Sequence, residues 1–139
     1  MKRSCEVVQP SRLKSIPMFA ALEKRDLARV ADCAEEVEVG AAGEELLREG
    51  RYAFEFFAIR SGTAEVVRDG VRVAALGPGD VMGELGALAH GQRNASVLAL
   101  EPMTVVFIRA QDFRHLADEV PALGREIRRV VEERSIRTA

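Results

Sequence analysis

The chain has 139 residues, of which 47% are hydrophobic and 30% charged, with 20 Lys plus Arg against 22 Asp plus Glu and no Trp. That length suits one domain with one core, and an apolar content near one half excludes disorder and low-complexity fibres. A formal charge of −2 lacks the uncompensated basic surface that coats phosphate backbones, so nucleic acid is excluded as a partner.

Lys2 and Arg3 are followed by Ser4, Cys5 and Glu6 rather than by an apolar run, and no later stretch is long and apolar enough for a bilayer. The expected location is cytoplasmic, with no membrane partner. Cys5 and Cys33 make neither a disulfide framework nor a metal cluster and are read as reduced thiols. Residues 1–11 are expected to be an N-terminal tail, with a single domain over 12–139.

Leu13 to Ile16 is a short helical candidate stopped by Pro17, because the residue before a proline is pushed out of the α region. Pro17, Met18 and Phe19 then read as a packed turn. From Asp26 the apolar positions Leu27, Val30, Ala31 and Ala34 follow the spacing of one helix face. Ten of the 11 glycines fall between Gly40 and Gly91, which marks a turn-rich β middle between helical ends.

Strand candidates are Glu36 to Val39, Glu45 to Arg48, Phe54 to Arg60, Ala64 to Arg68, Val71 to Leu76, Ala95 to Leu100 and Thr104 to Arg109. Asp69-Gly70 separates two of them as a type I′ hairpin turn, which requires positive φ at both positions. Phe54, Phe56, Phe57 and Ile59 put apolar groups on both faces of one strand, so helices are expected to cover one of them. Phe113 and Leu116, then Val120, Leu123, Ile127 and Val130, supply the helical stripes. The last stripe needs an apolar seat, either the open mouth of the barrel or the same helix of a second protomer.

Between two strand candidates lies Gly83-Glu84-Leu85-Gly86-Ala87-Leu88-Ala89-His90-Gly91-Gln92-Arg93-Asn94-Ala95, which is not ordinary barrel sequence. Glycine before a one-turn helix lets backbone N–H groups approach a ligand, and such N–H groups suit an anion. Arg93, beyond the Gly91 turn, can return to bind two phosphate oxygens with its fork. Glu84 beside a phosphate needs neutral donors, and a ribose hydroxyl is one. Phosphate and ribose together describe a nucleotide.

The run resembles the phosphate-binding cassette of cyclic nucleotide-binding domains, the module of catabolite activator proteins, protein kinase A regulatory subunits and cyclic-nucleotide-gated channels. Ala42-Gly43-Glu44, Arg48-Glu49-Gly50, Ile59-Arg60-Ser61-Gly62 and Leu76-Gly77-Pro78-Gly79-Asp80 are similar to that family's recurring turns, so the likeness covers about residues 12 to 136. It implies a mainly β domain with flanking helices: a β-jelly roll with N-terminal helices, a short cassette helix and C-terminal lid helices.

It also implies roles at the site. Glu84 accepts from the ribose 2′-hydroxyl, Arg93 pairs with the cyclic phosphate, and Gly83, Leu85, Gly86 and Ala95 present backbone groups. Asn94 departs from the Ser, Thr or Ala that relatives often have after the arginine. The lack of a Thr there leans towards cAMP over cGMP. The function implied is a regulatory receptor with no catalytic role, acting on a separate effector protein, with a homodimer through the last helix as an option. The alternative is a degenerate fold serving as an interaction module without nucleotide.

Other chemistries fit less well. An isolated Glu84–Arg93 pair would read as a surface salt bridge. His90 and His115 lack a nucleophile and an orienting partner, and the clustered His and carboxylate ligands of a cupin are missing. Gly77, Gly79 and Gly83 have the wrong spacing for a dinucleotide loop. Arg125, Arg128, Arg129, Arg134 and Arg137 alternate with Glu126, Glu132 and Glu133 at helical spacing, which reads as a self-paired solvated face.

Overall fold

The computed structural model describes residues 2–47, 55–82 and 95–138, with side chains over 8–47, 55–82 and 95–133. Its strands are β1 (Lys2–Val7), β2 (Ala34–Val39), β3 (Glu45–Leu47), β4 (Glu55–Ser61), β5 (Ala64–Arg68), β6 (Val71–Leu76), β7 (Val81–Met82), β8 (Ser96–Ala99) and β9 (Met103–Arg109). The helices are α1 (Pro10–Leu13), α2 (Pro17–Ala20), α3 (Lys24–Cys33), α4 (Ala110–Glu119) and α5 (Pro121–Thr138).

The strands form a five-stranded sheet in the order β1-β2-β9-β4-β7 and a four-stranded sheet in the order β3-β8-β5-β6, every described pairing antiparallel. This is the expected jelly roll with flanking helices.

Strand β4 shows why two layers of core are needed. Successive side chains point to opposite faces. Phe57 and Ile59 enter the core between the sheets with Val37, Val105 and Phe107, while Phe56 and Ala58 enter a second core under the helices with Phe19, Leu27 and Phe113. All four β4 residues are fully buried. Both faces are covered, as the apolar run predicts; Phe54 of that run lies outside the described residues.

The Asp69-Gly70 turn is as expected, with φ of 52° and 77°. Three local expectations differ. Residues 1–11 are not a tail: β1 pairs with β2, setting Lys2 opposite Glu38 and Arg3 opposite Val37, and Val8 is buried. The first helix begins at Pro10, one turn before the expected Leu13, because proline pre-sets the first helical position. Pro17 does the same for α2, so the expected turn is a one-turn helix that buries Met18 and Phe19.

The stripe of α5 has a seat that differs from both expected ones. Leu123 and Ile127 are fully buried in the helical-layer core, where α5 packs on α4 and α2. The stripe is covered within the chain, so it neither lies in the barrel mouth nor demands a second protomer. On the outer face Arg129 bonds Glu126 at 3.0 Å and Glu133 at 2.9 Å, the self-paired face read from the sequence. These bonds hold its guanidinium above the usual arginine range.

Candidate functional site

Of the expected site residues, Gly83, Glu84, Leu85, Gly86, Arg93 and Asn94 lie outside the described residues, and Ala95 is described and buried. The elements on either side fix where the segment begins and ends.

Its beginning is clamped. Gly77 N–H donates to Asp80 Oδ2 at 2.8 Å, and Asp80 N–H donates to the Gly77 carbonyl at 3.0 Å. Gly79 N–H donates to the Ile59 carbonyl at 2.9 Å, while Ile59 N–H donates to the Asp80 carbonyl at 2.8 Å. Gly79 has φ of +92°, and a Cβ there would meet Pro17 Cδ at 3.2 Å, so glycine lets this turn lie against the start of α2. The chain then enters β7, where Val81 pairs with Ala58 and Met82 with Phe57. Val81 faces the helical core and Met82 the core between the sheets.

Its end lies in the other sheet. In β8, Ser96 pairs with Val67 and Val97 with Val66. In the same sheet Arg68 pairs with Val71 across the Asp69-Gly70 turn. In chain order, Gly83 to Asn94 fall between β7 of the larger sheet and β8 of the smaller one.

The neighbouring wall is apolar. Val66 and Leu76 pack half-buried on the inter-sheet core, and Val71 and Val73 stand 62% and 50% exposed on β6. A register shift between Val66 and Val67 leaves Val73 as the unpaired residue of a bulge, since Val66 pairs with Ala74 and Val67 with Arg72. Apolar side chains are thus left exposed on the outer strand of the smaller sheet.

The exposure of Val71 and Val73 carries no signal in the sequence beyond the Asp69-Gly70 turn, which sets Arg68 opposite Val71. Among the described residues no group of three His, Cys, Asp or Glu side chains could hold a metal, and no helix is long and apolar enough to cross a membrane. His115 is exposed on α4.

Comparison with known proteins fits this geometry. The profile of the family described as "Cyclic nucleotide-binding domain" matches residues 38–120. The cAMP-dependent protein kinase regulatory subunit of Eremothecium gossypii is 35% identical over 109 residues, covering 78% of this chain and 24% of that protein. The Pycsar effector protein PaPycTIR of Pseudomonas aeruginosa is 34% identical over 114 residues, covering 81% and 37%. The chain thus spans about a quarter to a third of these relatives.

Among solved structures, the catabolite activator protein of Thermus thermophilus superposes with a TM-score of 0.78 at 21% identity, covering 88% of this chain and 59% of that one. A Geobacter metallireducens protein named for cyclic nucleotide binding gives 0.79 at 24% identity, covering 91% and 94%. At these identities the likeness is one of fold. The profile match, which spans more than half of the sequence and encloses Gly83 to Ala95, shows that the chain belongs to the cyclic nucleotide-binding domain family.

Proposed function

We propose that this domain is a receptor for a 3′,5′-cyclic mononucleotide, with cAMP as its expected ligand, and that it regulates a separate effector protein rather than catalysing a reaction. The observation that carries the reading is positional. Gly83, Glu84, Leu85, Gly86 and Arg93 fall in the one connection that leaves β7 of the larger sheet and enters β8 beside the exposed apolar wall of the smaller one.

In this reading Arg93 neutralises the cyclic phosphate through paired charge-assisted hydrogen bonds. Glu84 accepts from the ribose 2′-hydroxyl, and the backbone N–H groups around Gly83, Leu85, Gly86 and Ala95 supply neutral donors to the ligand. Asn94 can donate its amide N–H to a phosphate oxygen, although its carbonyl oxygen adds nothing there. The wall of Val66, Val71, Val73 and Leu76 removes one face of the base from water.

Calorimetric titration of the intact chain with cAMP, cGMP and AMP tests the proposal, with Arg93→Ala as the decisive variant. Removing one member of a desolvated charge pair costs about 2–5 kcal/mol, a loss of roughly 30-fold to several thousandfold in affinity. An intact chain that binds no cyclic nucleotide, or equal affinities for Arg93→Ala and the parent, would overturn the reading. A 2′-deoxy cyclic nucleotide is expected to lose affinity against the parent and little further against Glu84→Ala, because both changes remove the same hydrogen bond.

A further inference from the structure

We infer that β6 is a self-pairing edge: β6 of one copy of this chain lies antiparallel to β6 of a second copy, joining two four-stranded sheets into one across a two-fold axis. This association does not depend on the nucleotide reading.

Edge strands are normally blunted, because their free N–H and C=O groups would otherwise pair with another chain. Among the described strands, β3 and β7 are three and two residues long, and β1 carries Lys2, Arg3 and Glu6. In contrast, β6 has six residues, lies outermost in its sheet, and reads Val-Arg-Val-Ala-Ala-Leu, with no Pro, Lys or carboxylate. Val71 to Ala75 are all exposed, Val71 at 62% and Val73 at 50%. The one blunting device is the bulge at Val73, and it selects a register.

Opposed residues of antiparallel strands share a face. Ala74 and Leu76 therefore share the face of Val66 and Ala64, which pack on the core between the sheets, whereas Arg72 and Ala75 share the face of Val67 and Glu65. Val71, next to Arg72, returns to the first face. A regular strand pairs with its own copy only when one residue stands opposite its equivalent, since any odd offset opposes the two faces. The residue added at Val73 moves the match to an axis between Val73 and Ala74. End-to-end pairing then sets Val71 opposite the partner's Leu76, Arg72 opposite the partner's Ala75 and Val73 opposite the partner's Ala74, with faces matched on both sides of the bulge.

Charge complements this register. Within one chain Arg72 Nε lies 3.8 Å from Glu65 Oε2. In the pair, one row of the outer face runs Val67, Arg72, the partner's Ala75, the partner's Glu65, by extension of the pairing of β5 with β6. Two strand spacings, about 10 Å, separate the main chains of Arg72 and the partner's Glu65, and the methyl group between them leaves a long side chain room to reach across. Each Arg72 faces an alanine rather than its equivalent, so like charges are not opposed.

Sedimentation velocity of the intact chain from about 1 μM to about 1 mM tests the pairing, a span that reaches weak association. A dimer that dissociates on dilution is expected, with amide exchange across Val71 to Leu76 slowing as it forms. Val73→Lys, at an exposed position, should weaken the dimer by at least about tenfold, because the two-fold axis counts the change twice. Arg72→Glu and Glu65→Arg each break the ion pair within the chain, and each should weaken self-association. Mixing these two variants should restore a heterodimer, since each then meets opposite charge in the other, a result that a purely intramolecular role of the pair would not give. A chain that stays monomeric throughout, or a dimer that Val73→Lys leaves unchanged, would overturn the inference, the latter by placing the interface elsewhere. A mixture that associates no better than either variant alone would overturn the register on which it stands.

Discussion

The ring of Phe56 stacks on that of Phe113 with centroids 4.1 Å apart and planes 11° from parallel, while Phe19 meets Phe56 edge-on at 6.2 Å. One strand residue thus contacts both α2, near the N-terminus, and α4, near the C-terminus. Phe113→Ala removes a fully buried ring from this stack and is expected to cost about 3–5 kcal/mol. Urea unfolding measures it. A loss below about 1 kcal/mol would mean that the two helices hold the sheet by other contacts.

Gly62 and Gly70 both have positive φ, at 87° and 77°, but their surroundings differ. A Cβ on Gly62 would sit 2.6 Å from the Pro102 carbonyl oxygen and 2.9 Å from Met103 Cα, whereas one on Gly70 meets nothing within 4 Å. Alanine at either site pays left-handed strain of about 1–2 kcal/mol. Overlap with backbone adds about 1–3 kcal/mol at Gly62 alone. Gly62→Ala should therefore unfold at clearly lower urea than Gly70→Ala, and equal midpoints would contradict the steric account.

These glycines show what the chain reveals to local reading and what it withholds. The Asp69-Gly70 turn and the two-faced run Phe56 to Ile59 need only neighbouring residues, and both are legible. The family is legible for the same reason, since its recurring turns and the run from Gly83 to Arg93 are each short segments. Strand β1 was not, since Lys2, Arg3, Ser4, Cys5 and Glu6 carry no apolar alternation and its pairing depends on β2, far along the chain, as in Lys2 with Glu38. The stripe Leu123 and Ile127 announced a buried face but not its partner, because α2 lies about 100 residues earlier.

Gly124 sets two tendencies against each other. In an isolated helix, glycine to alanine gains about 1 kcal/mol. Here a Cβ would stand 2.7 Å from the Ala117 carbonyl oxygen of α4, a main-chain obstacle that cannot rotate away. Helix packing should win, so Gly124→Ala is expected to lower the melting temperature. Ala117→Gly should not rescue it, because the obstructing atom is backbone. A rise in melting temperature for Gly124→Ala would show that α5 slides on α4 at little cost.

The Cys33 thiol is pushed above its ordinary value by burial and then by the carboxylates of Asp112 and Asp32. The folded chain therefore keeps this proton at pH values where the unfolded chain has begun to lose it. The stability tied to this proton is fully present below the unfolded thiol value, about 8.5, and is lost as pH rises from there through the folded one. Unfolding measured from pH 7 to 10 should show the decline in the parent and a flatter profile in Cys33→Ser. Fast alkylation of the folded protein at neutral pH would contradict the raised value.

Leu123 decides whether α5 is a fixed part of the core or a cover that leaves it when ligand binds. Its side chain is fully buried with Ile127 against α2 and α4, so Leu123→Ala should cost about 2–5 kcal/mol in the absence of nucleotide. Removal of the chain from Pro121 onwards should expose this core and abolish cooperative unfolding. The effect on binding separates the two cases, because a ligand shifts an equilibrium only through its differential affinity for the two states. If α5 keeps its seat, Leu123→Ala leaves the cAMP dissociation constant within about twofold, and amide exchange from Leu123 to Val131 is the same with and without nucleotide. If α5 must leave its seat to close over the base, a weaker seat favours the closed state and the variant binds more tightly than the parent. The seated geometry predicts the first result; tighter binding with altered exchange across α5 would establish the second.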